Sequence, residues 1–273
     1  MSIKLGGTLV LVGAGKMGGA MLEGWLASGA DPKKIVALDP FASDDMKALL
    51  ARHGVALNPA IAGITNAEVV LVAVKPQMME EVLPTITSLG KSNPLILSVA
   101  AGKTIASFER HFGKTASVIR TIPNTPAAIG RGITAMVANP NVSARQMQLA
   151  TELLSAIGEV VTVDREELID CVTAVSGSGP AYIFYLTECL ANAAEKIGLP
   201  PALAMQLARA TVAGSGELMR QTGIEASILR QNVTSPKGTT YAALQVLMAD
   251  DGMKPLFEKA IKAAADRSRE LAS

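Results

Sequence analysis

A chain of 273 residues, 49% of them hydrophobic and 18% charged, is long enough for one large or two ordinary domains and will fold compactly, which excludes an intrinsically disordered protein. Its 25 basic and 24 acidic residues are mixed along the sequence to a net charge of +1, so no electrostatic footprint for nucleic acid or an anionic membrane is present and the expected ligand is small. Cys171 and Cys189 are the only cysteines, no secretory segment precedes Thr8, and no apolar run approaches the roughly 20 residues of a membrane span, which together give a reducing cytoplasm as the expected compartment.

The first predicted element is a strand over TLVLV at 8–12, which runs straight into Gly13. Gly13, Gly15 and Gly18 fill a G-x-G-x-x-G pattern that opens an apolar-periodic helix through Met17, Met21 and Leu26. In that context Gly13 permits the tight turn, Gly15 lets backbone approach a pyrophosphate and Gly18 lets helix pack on strand, while the helix N-terminus offers free N–H groups to phosphate. Gly13, Ala14, Gly15, Lys16, Met17 and Gly18 are therefore candidate dinucleotide contacts. Next comes the short strand IVALD at 35–39, whose terminal Asp39 is placed to accept from the adenosine ribose hydroxyls, a preference for NAD since no Arg follows until Arg52. The other reading of Asp39-Pro40 is a helix start with Ser43 as cap.

After a helix to His53 come a short strand near Val55 and the run VVLVAV at 69–74, whose lack of alternation predicts a strand buried on both faces of a parallel sheet. Ligands of such sheets bind outside the carboxyl ends of the strands, which places Ala73, Val74, Lys75 and Pro76 near the cofactor, with Lys75 available to a phosphate or else a surface lysine. The strand in LILSVAAG at 95–102 ends in small residues, Val99, Ala100 and Ala101, against which a flat nicotinamide ring can lie. Strand-like runs continue through SVIRTIPNTP at 117–126, ITAMVAN at 133–139 and VVTV at 160–163. The expected fold is α/β, with a Rossmann-type doubly wound sheet over 1–163. His53 and His111 both fall where helices end, which fits solvated helix termini better than chemistry.

From Asp164 onward the strand-like runs disappear, and alanine-rich helical patterns cover 181–197, 201–220, 239–251 and 253–271. An all-helical second domain over 164–273 is expected. In SGSGPAY at 176–182 the glycines loosen a turn and Pro180 takes the first turn of a long helix. Helices this apolar need a partner surface, so an obligate subunit interface is expected.

DCVTAVSGSGPAYIF at 170–184, NVTSPKGTT at 232–240 and RTIPNTPA at 120–127, with GAGKMG at 13–18, AVKP at 73–76 and SVAAG at 98–102, resemble the pyrroline-5-carboxylate reductases along essentially the whole chain. The resemblance implies reduction of the cyclic imine 1-pyrroline-5-carboxylate to L-proline by NADPH or NADH, and a helical domain interleaved in a homodimer that assembles into larger rings, commonly decamers. It implies that Thr240 is the proton donor, directly or through water, that Glu166 reaches the substrate and that Asn232 reaches the cofactor. The loop from Asn232 to Thr240 links two predicted helices, so N–H groups around Gly238, Thr239 and Thr240, with Ser235 beside them, are an expected grip for the substrate carboxylate. Position alone equally allows Thr239 to be a helix cap. Lys237 stands where many relatives have glycine, and Cys171 where they usually have alanine. Hydride transfer to an imine needs neither an enzymic nucleophile nor a metal, and none is expected. The β-hydroxyacid dehydrogenases share the N-terminal glycine pattern, but their catalytic lysine has no counterpart in 182–195 ahead of Lys196.

Overall fold

The computed structural model describes residues 3–272. Two compact units divide the chain, one formed by the residues up to 177 with those from 265 onward, the other by 178–264.

The first unit contains, in order, β1 (Thr8–Val12), α1 (Lys16–Ala27), β2 (Ile35–Leu38), α2 (Asp44–His53), β3 (Ala56–Leu57), β4 (Ala67–Val72), α3 (Met79–Ile86), β5 (Leu95–Ser98), α4 (Ile105–Phe112), β6 (Ser117–Ile122), β7 (Gly132–Ala138), α5 (Ala144–Ser155), β8 (Gly158–Thr162) and α6 (Leu168–Val172). The strands form one sheet in the order β3-β2-β1-β4-β5-β6-β7-β8. Because β2 and β4 flank β1 on opposite sides, both parallel to it, the winding reverses between β1 and β4 and opens a crevice at their carboxyl ends. Alternate residues of the apolar strands feed two cores. Leu9, Leu11 and Leu71 pack with Met21, Leu22 and Trp25 on one face, and Val10, Val12 and Val72 pack with Met79, Leu83 and Phe108 on the other. This burial on both faces is why the strand runs lack alternation.

One pair departs from the parallel pattern: β7 runs antiparallel to β6, Ile122 facing Ala135. The connection between them holds only a 3₁₀ turn at Thr125–Ile129, too short for the crossover of a dozen or so residues that a parallel return needs. Helix starts follow the expected chemistry. Ser43 caps α2 through Met46 N, so the second reading of the Asp39-Pro40 region holds for Ser43, and His53 and His111 lie in the last turns of α2 and α4.

Residues 164–177, expected to open the helical domain, pack with the sheet instead, because Ile169 and Ala174 are fully buried and Ile169 joins the second core. Between α6 and the next helix the chain forms a π-helical turn over Thr173–Gly177. The second unit comprises α7 (Gly179–Lys196), α8 (Pro201–Thr222), α9 (Ala226–Asn232), α10 (Thr239–Leu247) and the start of α11 (Met253–Ala272). Pro180 falls in the first turn of α7, as the sequence predicts. Ala191, Ala204 and Ala208 are the only buried residues described in this unit, while Phe184, Tyr185, Leu207, Leu218 and Val246 are exposed. Among the described residues no helix is long and apolar enough to cross a membrane.

Candidate functional site

The glycine loop between β1 and α1 is shaped by contacts that assign each glycine a separate task. Gly13 has φ +91°, and a Cβ there would meet Ala73 C at 2.9 Å, so neither its turn nor its closeness to the end of β4 tolerates a side chain. A Cβ at Gly18 would drive into the Gly13 carbonyl oxygen. Gly15 is different: nothing lies within 4 Å of the position its Cβ would take. It serves no internal packing, and its open side at the N-terminus of α1 is the approach a pyrophosphate requires.

Asp39 follows β2 directly and is held from four directions. Its Oδ2 accepts from Ala14 N at 2.8 Å and its Oδ1 from Phe41 N at 2.8 Å. Asn58 Oδ1 accepts from Asp39 N at 2.7 Å, and Asn58 Nδ2 donates to Asp39 O at 2.9 Å. Asn58 reaches this position with φ 50°, a left-handed conformation that asparagine tolerates better than most residues. The second-strand acid thus ties the glycine loop to the chain after β3, and it forms no ion pair among the described residues. The family resemblance brings an asparagine to the third strand for the adenosine ribose, with Asn58 nearby, but the register left it out of the expected contacts; an Asn-Pro pair immediately after a strand was the local signal.

Gly13, Gly15, Asp39, Ala73, Val74 and Lys75 line a single cleft of about 840 Å³, whose wall also includes Phe41, Asn58 and Glu81. The crevice therefore brings together six of the expected cofactor residues in an open space at the switch point, and the fit to a dinucleotide is good. Ala14, Lys16, Met17 and Gly18 belong to the loop and the start of α1, where Ala14 and Gly18 are buried behind the cleft. Pro76 opens a 3₁₀ turn over Pro76–Met78. Val99, Ala100 and Ala101 follow β5; Val99 N donates to Val72 O at 3.1 Å, which sets this turn beside the end of β4. Ala100 is buried and Ala101 exposed.

Glu166 belongs to the first unit, just ahead of α6. Its Oε1 accepts from Arg120 Nη1 at 2.9 Å and from Ile105 N, the first residue of α4, at 2.8 Å. The arginine, in β6, is 2% exposed, and its Nε and Nη2 have no acceptor among the described residues. Sequence reasoning passed over it, although an arginine inside the apolar run SVIRTI is itself a signal, since a charge in a buried strand is costly unless it has a task.

The remaining expected residues, Asn232, Ser235, Gly238, Thr239 and Thr240, lie in the second unit at the junction of α9 and α10. Gly238 is the N-cap of α10, so Thr239 and Thr240 are its first two residues and Thr239 is not the cap. Their backbone N–H groups are among those a helix start leaves without intrahelical partners. A Cβ on Gly238 would meet Ser235 Oγ, so any larger residue there displaces the Ser235 hydroxyl. Lys237 has φ 59°, so it adopts the left-handed conformation that glycine takes easily. No group of His, Cys, Asp and Glu suited to a metal occurs among the described residues.

Comparison with known proteins meets this geometry at both units. The pyrroline-5-carboxylate reductase from Pseudomonas aeruginosa is 39% identical over 97% of this chain and 96% of its own. The chain belongs to the pyrroline-5-carboxylate reductase family. The family model for pyrroline-5-carboxylate reductase dimerisation matches residues 166–271, and one described as NADP oxidoreductase, coenzyme F420-dependent, matches 8–102. A solved pyrroline-5-carboxylate reductase from Coxiella burnetii superposes with TM-score 0.91 at 35% identity, covering 98% of this chain and 99% of its own. Another from Plasmodium falciparum, solved with NADP bound, gives TM-score 0.82 at 26% identity over 98% and 99% of the two chains. Membership in this family accounts for the pairing of a nucleotide-binding sheet with apolar helices in one chain. The glycine loop and crevice belong to an NAD(P)-dependent oxidoreductase.

Proposed function

We propose that this chain reduces 1-pyrroline-5-carboxylate to L-proline with NADPH or NADH, the last step of proline biosynthesis. The observation that carries the reading is the likeness to pyrroline-5-carboxylate reductases along 97% of the chain, which takes in both the crevice at Gly15 and the Thr239–Thr240 helix start. When bound, the reduced nicotinamide supplies a hydride to the imine carbon.

The chain's own residues do the rest. Gly13, Ala14, Gly15, Lys16, Met17 and Gly18 seat the pyrophosphate on the N-terminus of α1, Asp39 meets the adenosine ribose, and Ala73, Val74, Lys75 and Pro76 border the middle of the dinucleotide. Val99, Ala100 and Ala101 form the bed of the nicotinamide, and Asn232 is the further cofactor contact that the family resemblance implies. The substrate carboxylate is held by the N–H groups of Thr239 and Thr240, with Ser235 and Gly238 shaping the loop. Glu166 borders the substrate, held by Arg120 and Ile105 N. Thr240 Oγ1 delivers a proton to the ring nitrogen, directly or through water, as the carbon gains the hydride, so that one C=N bond becomes a C–H, an N–H and a single C–N bond.

The exposed apolar surface of α7 and α8, together with the dimerisation model over 166–271, supports a homodimer as the working form; a decamer of five such dimers follows from the family resemblance alone, and a cytoplasmic compartment from the sparse cysteines of the sequence. The test is the loss of nicotinamide absorbance on adding pyrroline-5-carboxylate, run with NADH and NADPH separately. Stoichiometric formation of proline with either one is the expected result, and no turnover with both overturns the reading.

A further inference from the structure

We propose that Arg120 is a positioning residue for this reaction: acting through Glu166, it fixes the far end of the 99–104 turn that carries the nicotinamide bed. The inference rests on the functional reading above for the identity of that bed.

The turn is held at both ends by side chains of β6. At the near end Thr121 Oγ1 donates to Ser98 O at 2.8 Å, and Ser98 Oγ in turn accepts from Ala100 N at 3.2 Å. At the far end Glu166 Oε1 takes the N–H of Ile105 and is itself held by Arg120. Strand register places Arg120 directly beside Ser98, so the neighbouring residues 120 and 121 of one strand control the two ends of one turn. Between those ends Gly102, with φ 70°, bends the chain, and a Cβ there would come 3.2 Å from Leu271 O. The helix that follows Glu166 is anchored as well, because Asp170 Oδ1, on α6, accepts from the buried Ser268 Oγ at 2.6 Å.

Stability does not explain this arrangement. A guanidinium that is 2% exposed, with two donor atoms unmatched, is a poor way to hold a sheet together, since a buried ion pair is commonly neutral or worse compared with apolar residues of the same volume. What the pair does provide is direction. A carboxylate fixed by a rigid fork has one location, and a backbone N–H bound to it has one orientation. Hydride transfer needs that, because small displacements of the reacting ring are costly in rate.

The experiment compares the parent with Arg120→Met, Arg120→Lys and Glu166→Gln. It reads the Kd of NADH and of ADP-ribose by calorimetry, beside kcat and Tm, with NADPH and 2′-phospho-ADP-ribose used instead where the phosphorylated form binds tighter. ADP-ribose spans the glycine loop and Asp39 but lacks the nicotinamide. The expected result is NADH binding weakened about 10-fold and kcat lowered by about 10- to 100-fold, with ADP-ribose affinity held within about 2-fold and Arg120→Lys milder than Arg120→Met. If Arg120→Met does not fold, Arg120→Lys, which keeps a charge but loses the fork, carries the comparison. Equal weakening of both ligands, or no change in NADH affinity and kcat, overturns the proposal. A parent that binds both ligands but does not reduce pyrroline-5-carboxylate counts against the functional reading alone, because the difference between the two ligands remains measurable.

Discussion

Thr240 is half-buried as the second residue of α10, where its hydroxyl has no part in capping the helix, since Gly238 is the cap. Thr240→Val therefore removes a donor while keeping shape and leaving the helix start intact, and kcat is expected to fall about 10²-fold with KM changed less. Thr240→Ser retains most of the activity because it keeps the hydroxyl. A valine variant that turns over like the parent across the pH range would leave proton delivery to water or to the protonated substrate. At Asp39 the expectation concerns the cofactor. Its carboxylate cannot swing away, being fixed by Ala14 N and Phe41 N, and no ion pair offsets it, so a ribose 2′-phosphate meets a stationary negative charge. kcat/KM with NADH is expected to equal or exceed that with NADPH, and Asp39→Asn, which removes the charge and keeps one of the two acceptor oxygens, shifts the ratio toward NADPH by about 10-fold, on the order of 1.4 kcal/mol. A strong NADPH preference in the parent would show that the acid does not govern the choice.

At the scale of elements, the glycine loop makes opposite demands on two glycines of one motif. Gly18→Ala forces a methyl into the Gly13 carbonyl, so it is expected to cost about 1–3 kcal/mol of stability in denaturant melts. Gly15→Ala meets no protein atom and should leave the melting curve where it is, while weakening the dinucleotide whose approach the new methyl obstructs. These roles were legible in the sequence because spacing and flanking strand and helix together encode them. Strand runs were legible for a similar reason: continuous apolar residues such as Val69–Val72 report burial on two faces. Strand direction was not, since nothing in ITAMVAN states that β7 runs against β6; only the short connection does, and its length becomes meaningful once the neighbour is known. Short elements escaped as well. α6 is five residues long, less than the two or so turns over which a helical period becomes visible, whereas the end of α9 at Asn232 was legible from the loop that follows it. The change of pattern at 164 lies close to the start of the dimerisation family model at 166, while the compact units divide after 177, because residues 164–177 turn helical before they leave the sheet's core. Lys237 holds φ 59°, so the loop keeps a glycine-type backbone at the expense of local strain. Lys237→Gly should leave the α9–α10 junction unchanged and alter stability by less than about 1 kcal/mol, the left-handed penalty removed being offset by added freedom in the unfolded chain.

At the scale of the whole molecule, the decisive fact is what the second unit fails to cover. Its only buried described residues are three alanines, while Phe184 and Tyr185 on α7 and Leu207 and Leu218 on α8 are between 47% and 67% exposed. Each such side chain is worth roughly 1.5–3 kcal/mol when fully buried, so leaving this many in water is a cost that association with a second copy removes. Charges introduced there test the point. Leu207→Asp together with Leu218→Asp would have to bury two carboxylates in an apolar interface, a penalty of several kcal/mol each that a dimer cannot absorb. The expected outcome is a monomer in analytical ultracentrifugation whose first unit still binds ADP-ribose, since the glycine loop, Asp39 and Asn58 all lie within that unit. If the Asn232–Thr240 loop completes its site only in the homodimer, proline formation falls by at least about 10²-fold. A variant that sediments as a monomer and keeps full activity would mean that one chain suffices for catalysis and that the apolar helices serve assembly alone.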